Sequence, residues 1–280
     1  MLQLTLGAKT VSTERPAFIM GIVNATPDSF FENSRGGLEL ARTLIDQGAD
    51  ILDIGGESTR PGFTPISAEE ELKRILPLIR GVRKISDIPI SIDTYKLSVI
   101  KIAAEEGVDI WNDVTSLYGS GVMNADGTAG IAAKTDSEKY SEASAHFLAD
   151  SGLSVILMHT GSGGLKQVSG FLSKRADFCL KQGIKKEKII VDPGIGFGKS
   201  TAECIELIKN PDVICDGQFP VLMALSRKRC IGEMTGREAK ERLAGTLAAD
   251  LLSVQKGAKI IRVHDVSSAF DTLNVMKNLQ

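Results

Sequence analysis

Gln47-Gly-Ala-Asp-Ile-Leu-Asp-Ile54 decides the fold, because the same octet recurs as Glu106-Gly-Val-Asp-Ile-Trp-Asn-Asp113 and Lys256-Gly-Ala-Lys-Ile-Ile-Arg-Val263. Each copy carries a glycine where a helix should stop, a position that often needs a left-handed backbone that glycine adopts at little cost. A short apolar run follows at once, so each octet reads as the corner where a helix turns back into a strand. Looser copies stand at Ser151-Gly152 and Gln182-Gly183.

Outward from these corners, apolar runs repeatedly end in a residue able to bind or react. Phe18 to Val23 precedes Asn24, Ile51-Leu52 precedes Asp53, Ile90-Ser-Ile92 precedes Asp93, and Ile110-Trp111 precedes Asn112. Val155 to Met158 precedes His159, Ile189 to Val191 precedes Asp192, Val221 to Leu225 precedes Ser226-Arg-Lys228, and Ile260-Ile261 precedes Arg262. Helix-length segments separate most of the runs, the alternation of a βα repeat. The pattern predicts an α/β fold, a (β/α)8 TIM barrel with its active face at the carboxyl ends of the strands.

The 280 residues and 42% hydrophobic content suit one barrel domain spanning residues 1–280. Residues 1–15 alternate apolar and polar and turn at Gly7, which predicts a short N-terminal β-hairpin and not the apolar core of a signal peptide. With 33 basic against 35 acidic side chains, no general field draws nucleic acid or a membrane, so any anion must be bound locally. Cys179, Cys204, Cys215 and Cys230 stand far apart without a Cys-x-x-Cys pair, the pattern of reduced packing residues in a cytoplasmic protein.

Local signals place the helices. Ser67-Ala-Glu-Glu70 reads as a capping box opening a helix towards Ile85, and Lys96 to Glu106 is closed by Gly107. Leu243, Leu247 and Leu251 repeat every four residues on a helix ending at Gly257 and read as core. From Ser116 to Asp150, glycine-rich signals predict a long loop before a helix near Ser137 to Ala149.

Barrel closure would gather Asp93, Asn112, Asp192 and Lys228 from the ends of different strands. Carboxylates, an amide and an ammonium match the alternating donors and acceptors of a flat aminopyrimidinone heterocycle. Arg262 and His264 leave the last strand on alternate positions and hence on one face, beside Asn24 on the first strand. Arginine and histidine suit phosphate oxygens, and the Asn24 carbonyl suits Mg²⁺. Asp192-Pro-Gly-Ile-Gly-Phe-Gly-Lys-Ser200 is one residue short of a phosphate loop and has proline at its first glycine. Its glycines are expected to let Asp192 and Phe197 approach a planar ligand. The Glu57 to Gly62 and Asn24 to Phe30 segments combine charges with turn residues, as a cover over a site would.

These segments, together with Met20 to Phe30, Asp53 to Gly62, Ser91-Ile-Asp-Thr94, Met158-His159 and Arg262-Val-His-Asp-Val266, resemble the dihydropteroate synthase family over nearly the whole chain. The resemblance implies condensation of 6-hydroxymethyl-7,8-dihydropterin diphosphate with 4-aminobenzoate, giving 7,8-dihydropteroate and diphosphate in folate biosynthesis, with sulfonamides as inhibitors. It implies pterin contacts at Asp93, Asn112, Met158, Asp192, Phe197 and Lys228, and a diphosphate site at Asn24, Arg262 and His264. Mg²⁺ would lie on Asn24, aminobenzoate under Thr59, Arg60 and Pro61, and catalysis on Asp93, Lys228, Arg262 and His264. A homodimer through late helices is implied as well.

Departures cluster on the aminobenzoate side: Phe31-Glu-Asn-Ser-Arg35 replaces a longer first loop, and Thr160-Gly-Ser-Gly-Gly164 follows His159. Arg229 stands where the family usually has a small hydroxyl residue. It either pairs with the aminobenzoate carboxylate or faces solvent. Two other readings stay open, a pterin-dependent methyltransferase, which leaves Arg262 and His264 unexplained, and a pterin-binding paralogue without catalysis.

Overall fold

In a computed structural model, residues 1–25, 34–57, 65–119 and 134–279 are described. Strands β1 (Leu2–Leu6) and β2 (Lys9–Thr13) form an antiparallel hairpin turning at Gly7, whose φ is +58°. The barrel strands follow as β3 (Phe18–Asn24), β4 (Ile51–Gly55), β5 (Ile90–Asp93), β6 (Ile110–Asp113), β7 (Ser154–Met158), β8 (Ile189–Asp192), β9 (Leu222–Met223) and β10 (Ile260–Val263). Their order is β8-β7-β6-β5-β4-β3-β10-β9, all parallel, and a parallel bridge between Val191 and Val221 joins the two ends of that order. The expected barrel and hairpin are both present.

Helices α1 (Ser34–Asp46), α2 (Ala68–Arg83), α3 (Leu97–Glu105), α4 (Lys134–Ser151), α5 (Leu165–Lys181), α6 (Thr201–Lys209), α7 (Arg229–Thr235), α8 (Leu243–Gln255) and α9 (Val266–Leu279) alternate with the strands. The octet glycines behave as corners, with φ of +95° at Gly48, +83° at Gly107 and +106° at Gly257. At Ser67 only half of the expected box forms: its hydroxyl accepts the Glu70 N–H at 3.1 Å, while the Glu70 carboxylate bonds Arg74 one turn on at 2.9 Å. An arginine at i+4 outbids a backbone N–H for the carboxylate because it is charged. The expected helix near Ser137 to Ala149 lies within α4; residues 120–133 of the loop before it are outside the described residues.

The octets also carry a role that their glycines do not reveal. Asp50 accepts the Ile19 N–H at 2.8 Å and pairs with Arg15 at 2.6 Å. Asp109 accepts the Ile90 N–H at 2.9 Å and pairs with Arg83 at 2.6 Å and Lys9 at 3.1 Å. The same position of the repeat thus accepts an N–H from the start of a neighbouring strand at the lower mouth. In the third copy Lys259 has no carboxylate, and its backbone carbonyl accepts the Phe18 N–H at 2.9 Å, as the Asp109 carbonyl accepts the Ser154 N–H at 3.0 Å.

Period-two alternation then builds the barrel interior in layers. Phe18, Met20, Ile51, Ile110, Ile156, Ile190, Leu222 and Ile260 form the lower layers, and Leu4 and Leu6 of the hairpin pack beneath them. One pleat above five of these apolar residues stands a residue of the upper mouth: Asp53 above Ile51, Asn112 above Ile110, Met158 above Ile156, Asp192 above Ile190 and Arg262 above Ile260. A second core lies between barrel and helices, with Trp111, Ile54, Leu157 and Val263 facing it.

One expectation holds only in part. Leu247 and Leu251 pack at the margin of this core, but all three leucines, Leu243 included, are only partly buried, while Thr246, Asp250, Ser253 and Val254 are the buried residues of α8. A four-residue repeat defines a face but not what covers it. Among the described residues no helix is long and apolar enough to cross a membrane.

Candidate active site

Four strands deliver the first charge cluster. The Arg262 guanidinium reaches from β10 across the barrel, its Nε 2.6 Å from Asp53 Oδ2 and its Nη2 2.9 Å from Asp93 Oδ2. Asn112 Nδ2 donates to the same Asp53 carboxylate at 3.2 Å. Asp53 is fully buried, and Asp93 is nearly so. Burial lifts the Asp93 carboxyl to about 7; Arg262 opposes the rise and Asp53 adds to it. Burial works against the Arg262 charge as well, but Asp53 and Asp93 outweigh it and keep the guanidinium protonated. Asp93 Oδ1 is buried and has no hydrogen-bond partner among the described residues. It is an acceptor waiting for a donor.

A second group rises from β8. Asp192 Oδ1 accepts the Gly194 N–H at 2.6 Å, and burial raises its pKa against the pull of Lys228. Lys228 donates to the Ile195 carbonyl, and its ammonium lies 5.0 Å from the centre of the Phe197 ring. Burial lowers the Lys228 pKa while Asp192 raises it. Gly194, Gly196 and Gly198 have φ of +69°, +83° and +74°, so the three sequence glycines do serve a tight turn. A Cβ on Gly196 would lie 3.1 Å from Lys228 Cδ. Tyr95, Val114 and Met158 pack together with Phe197 against them and give the mouth an apolar wall.

At the β9 and β10 ends, Ser226 Oγ accepts the His264 N–H at 3.2 Å and lies 2.9 Å from His264 Nδ1. A hydroxyl donating to Nδ1 leaves the imidazole hydrogen on Nε2, a donor suited to an anion. Arg227 holds this corner in a left-handed backbone, φ +58°, and its guanidinium pairs in a fork with Asp265 at 3.0 and 2.6 Å. Asn24 stands half-buried at the end of β3, next to β10 in the sheet.

Met158, Asp93, Asn112, Asp192, Lys228, Arg262, His264 and Asn24 thus all sit at the strands' carboxyl ends. Arg229 starts α7, but its exposed guanidinium pairs with Glu233 at 2.9 Å and donates to the Lys199 carbonyl at 3.1 Å. Thr59, Arg60 and Pro61 lie outside the described residues, as do 26–33 of the first loop. Sequence reasoning placed Asp53 at a strand end without assigning it a role, and it assigned none to Lys199. Period two turns Asp53 inward, since it follows Ile51 as Asn112 follows Ile110.

A family model described as pterin binding enzyme matches residues 20–264. The chain is 38% identical over 278 residues to a dihydropteroate synthase of Streptococcus pyogenes serotype M1, covering 95% of this chain and 97% of that one. The chain belongs to the dihydropteroate synthase family. Its fold superposes on Xanthomonas albilineans dihydropteroate synthase solved with 4-aminobenzoic acid, with a TM-score of 0.85, 37% identity and coverage of 99% and 98% of the two chains. The structure of that enzyme in complex with 7,8-dihydropteroate gives a TM-score of 0.83 at 34% identity, covering the same shares.

Proposed function

We infer that this chain condenses 6-hydroxymethyl-7,8-dihydropterin diphosphate with 4-aminobenzoate, and that its upper mouth divides the work between two halves. Asp93 Oδ1, Asp192, Asn112 and Lys228 hold the edge of the pterin, while Met158 and Phe197 cover its faces. The observation that carries this reading is the buried Asp93 Oδ1, without a partner among the described residues, at the carboxyl end of a strand paired with the strand that carries Asn112. An N–H or NH₂ edge supplies the donor it lacks.

The aromatic amine is neutral near pH 7 and already nucleophilic. Its nitrogen forms a bond to the pterin methylene as the carbon–oxygen bond to diphosphate breaks, and the new secondary amine then loses a proton. The barrier lies in stabilising the leaving diphosphate and the electron-poor methylene, which is a positional and electrostatic task. Arg262 Nη1 has no hydrogen-bond partner among the described residues, so the arginine can hold Asp53 and Asp93 and still donate to phosphate. His264 adds a donor. Asp93 stabilises positive charge on the pterin.

Among the described residues no cluster of three His, Cys, Asp or Glu side chains forms a metal cage. Mg²⁺ typically takes one or two protein ligands and completes its shell with substrate phosphate and water, so the lone Asn24 carboxamide fits that mode. Bound there, the ion would neutralise charge on the departing diphosphate. The aminobenzoate, and sulfonamides in its place, would lie under Thr59, Arg60 and Pro61. The partly buried Leu243, Leu247 and Leu251 with exposed Met234 support a homodimer through α7 and α8. Four buried free cysteines suit a reducing cytoplasm.

Product formation from the two substrates tests the reading directly. Wild-type protein should release 7,8-dihydropteroate only when Mg²⁺ is supplied. Arg262→Ala should lose turnover and weaken pyrophosphate binding, and full activity of the folded variant would overturn the diphosphate assignment.

A further inference from the structure

The segments that follow β7 and β8 rise side by side and are stitched together. His159 N–H donates to the Asp192 carbonyl at 3.1 Å and Gly161 N–H to the Phe197 carbonyl at 3.0 Å. Between these two bonds lies the ammonium of Lys199, a residue 2% exposed. It lies 3.0 Å from the His159 carbonyl, 3.1 Å from the Gly161 carbonyl and 3.1 Å from His159 Nδ1. An ammonium has three hydrogens, and all three are directed at the β7 side. For the third to be accepted, Nδ1 must carry a lone pair, so the imidazole is neutral with its hydrogen on Nε2. The approach is close: a Cβ on Gly194 would fall 1.9 Å from the His159 carbonyl oxygen and 3.2 Å from Lys199 Nζ.

What this lysine holds is the wall of the site. Asp192, the Ile195 carbonyl that receives Lys228, and Phe197 all belong to the eight-residue segment ending at Lys199. We propose that Lys199 is a positioning residue for the pterin, its ammonium clasping the β8 segment to the β7 segment so that Asp192, Phe197 and Lys228 stand at the height the ring requires. The proposal rests on the pterin reading of those residues. Lys199 itself touches no substrate.

The clasp has a protonation requirement. Burial pulls Lys199 down to about 8; Asp192, Cys204 and Glu203 oppose that shift and Lys228 adds to it. Burial, followed by the Lys199 charge, pulls His159 down to about 4, with Glu203 opposing. The closed clasp needs Lys199 charged and His159 neutral. If binding requires closure, pterin affinity declines as the pH rises through about 8 and Lys199 loses the proton that completes its third bond. Lys228 also has a lowered pKa, so the alkaline decline alone does not identify the residue; variants do.

The test measures calorimetric affinity for 6-hydroxymethylpterin and both Michaelis constants, on wild type, Lys199→Met, His159→Leu and His159→Asn. Lys199→Met should raise the pterin diphosphate KM about tenfold or more, leave the 4-aminobenzoate KM within about twofold, and flatten the alkaline decline, from the loss of several hydrogen bonds. His159→Asn keeps an acceptor near the Nδ1 position and should bind close to wild type, whereas His159→Leu should not. If Lys199→Met does not fold, the His159 pair decides. Wild-type pterin affinity in Lys199→Met, an equal rise of both Michaelis constants, or equal affinity of the two His159 variants would overturn the clasp. A wild type that binds no pterin at all would instead overturn the pterin reading on which it rests.

Discussion

At the lower mouth of the barrel Asp50 and Asp109 each accept a strand N–H and an arginine, whereas at the upper mouth Asp93 leaves one buried oxygen with no partner among the described residues. Both ends place carboxylates against cations in the same fold. Below, both carboxylates are engaged by a strand N–H and by cations of the chain itself, which ties neighbouring strands together. Above, two carboxylates from β4 and β5 share the one guanidinium from β10, and burial, with Asp53 adding to it and Arg262 opposing, raises the Asp93 carboxyl to about 7. Polar groups left incomplete in a folded chain are costly, and they are kept where a ligand completes them. The contrast implies that the same substitution, carboxylate to neutral side chain, should separate function from stability according to the mouth at which it is made.

The largest effect should come from Asp93→Asn. The amide can still accept through its oxygen but brings no negative charge opposite the pterin, and turnover should drop by about 10²-fold, the scale of losing one electrostatic contact to developing charge. Folding stability should hold or improve. In the native chain the Asp93 pKa is raised to about 7 from an unfolded value near ~3.9, so the folded state holds the proton more tightly. By linkage the Asp93 contribution is fully present below the unfolded pKa and declines as the pH climbs towards about 7. Urea titrations from pH 4 to pH 8 should show that decline in wild type and a flatter profile in the variant. Unchanged turnover would remove Asp93 from the site.

Asp109→Ala makes the converse change. It strands the Ile90 N–H and frees Arg83 and Lys9, at a cost of about 2 kcal/mol, most of it from the buried amide because the two cations can reach water. Both Michaelis constants should stay at wild-type values. A kinetic defect as large as the loss of stability would erase the distinction between the mouths.

This division also explains what the sequence disclosed. The octets that end at Ile54, Asp113 and Val263 announced the barrel because corner glycines and short apolar runs are local features, and period two then assigned the upper-mouth residues without tertiary information. Asp53 was within reach of that rule. Lys199 was not, since its acceptors are two backbone carbonyls and an imidazole nitrogen from another loop, and no spacing encodes them. The leucines of α8 misled for a related reason: Leu243, Leu247 and Leu251 define a stripe, but burial went to Thr246, Asp250 and Ser253. Thr59, Arg60 and Pro61, recognised by resemblance, fall outside the described residues.

Asp250 sharpens the comparison from a third place. It is 1% exposed on the inner face of α8, neither carboxylate oxygen has a partner among the described residues, and burial drives its pKa well upward. Unlike Asp93 it lies on a helix outside the barrel mouth, so no substrate is positioned to complete it. Because its pKa is raised on folding, its contribution to stability is fully present below the ordinary carboxylate pKa of ~4 and declines as the pH rises beyond it, where the unfolded chain ionises while the folded group still holds its proton. Asp250→Ala should therefore raise stability at neutral pH by about 1–3 kcal/mol, the cost of an unmet buried polar group, and should do little at pH 4. Thermal melts at the two pH values measure it. Equal stability of variant and wild type at pH 7 would mean that the folded chain meets the carboxylate's needs.

The smallest effect belongs to Arg229, at the border between the site and solvent. Its guanidinium is 68% exposed at the side chain and faces Glu233 one turn along α7, an exposed pair of the kind worth only about 0.3–0.5 kcal/mol. Arg229→Ser should accordingly leave the melting temperature nearly unchanged. Its kinetic consequence distinguishes two roles. The Arg229 guanidinium also donates to the Lys199 carbonyl at 3.1 Å, at the edge of the segment that carries Phe197. If it can leave Glu233 for an incoming carboxylate, Arg229→Ser should raise the 4-aminobenzoate KM severalfold, with the pterin diphosphate KM unmoved and the difference shrinking at high salt. If both Michaelis constants stay at wild-type values across the salt range, the helix pair with Glu233 is its whole role, and the aminobenzoate carboxylate must find its partners elsewhere on the upper mouth.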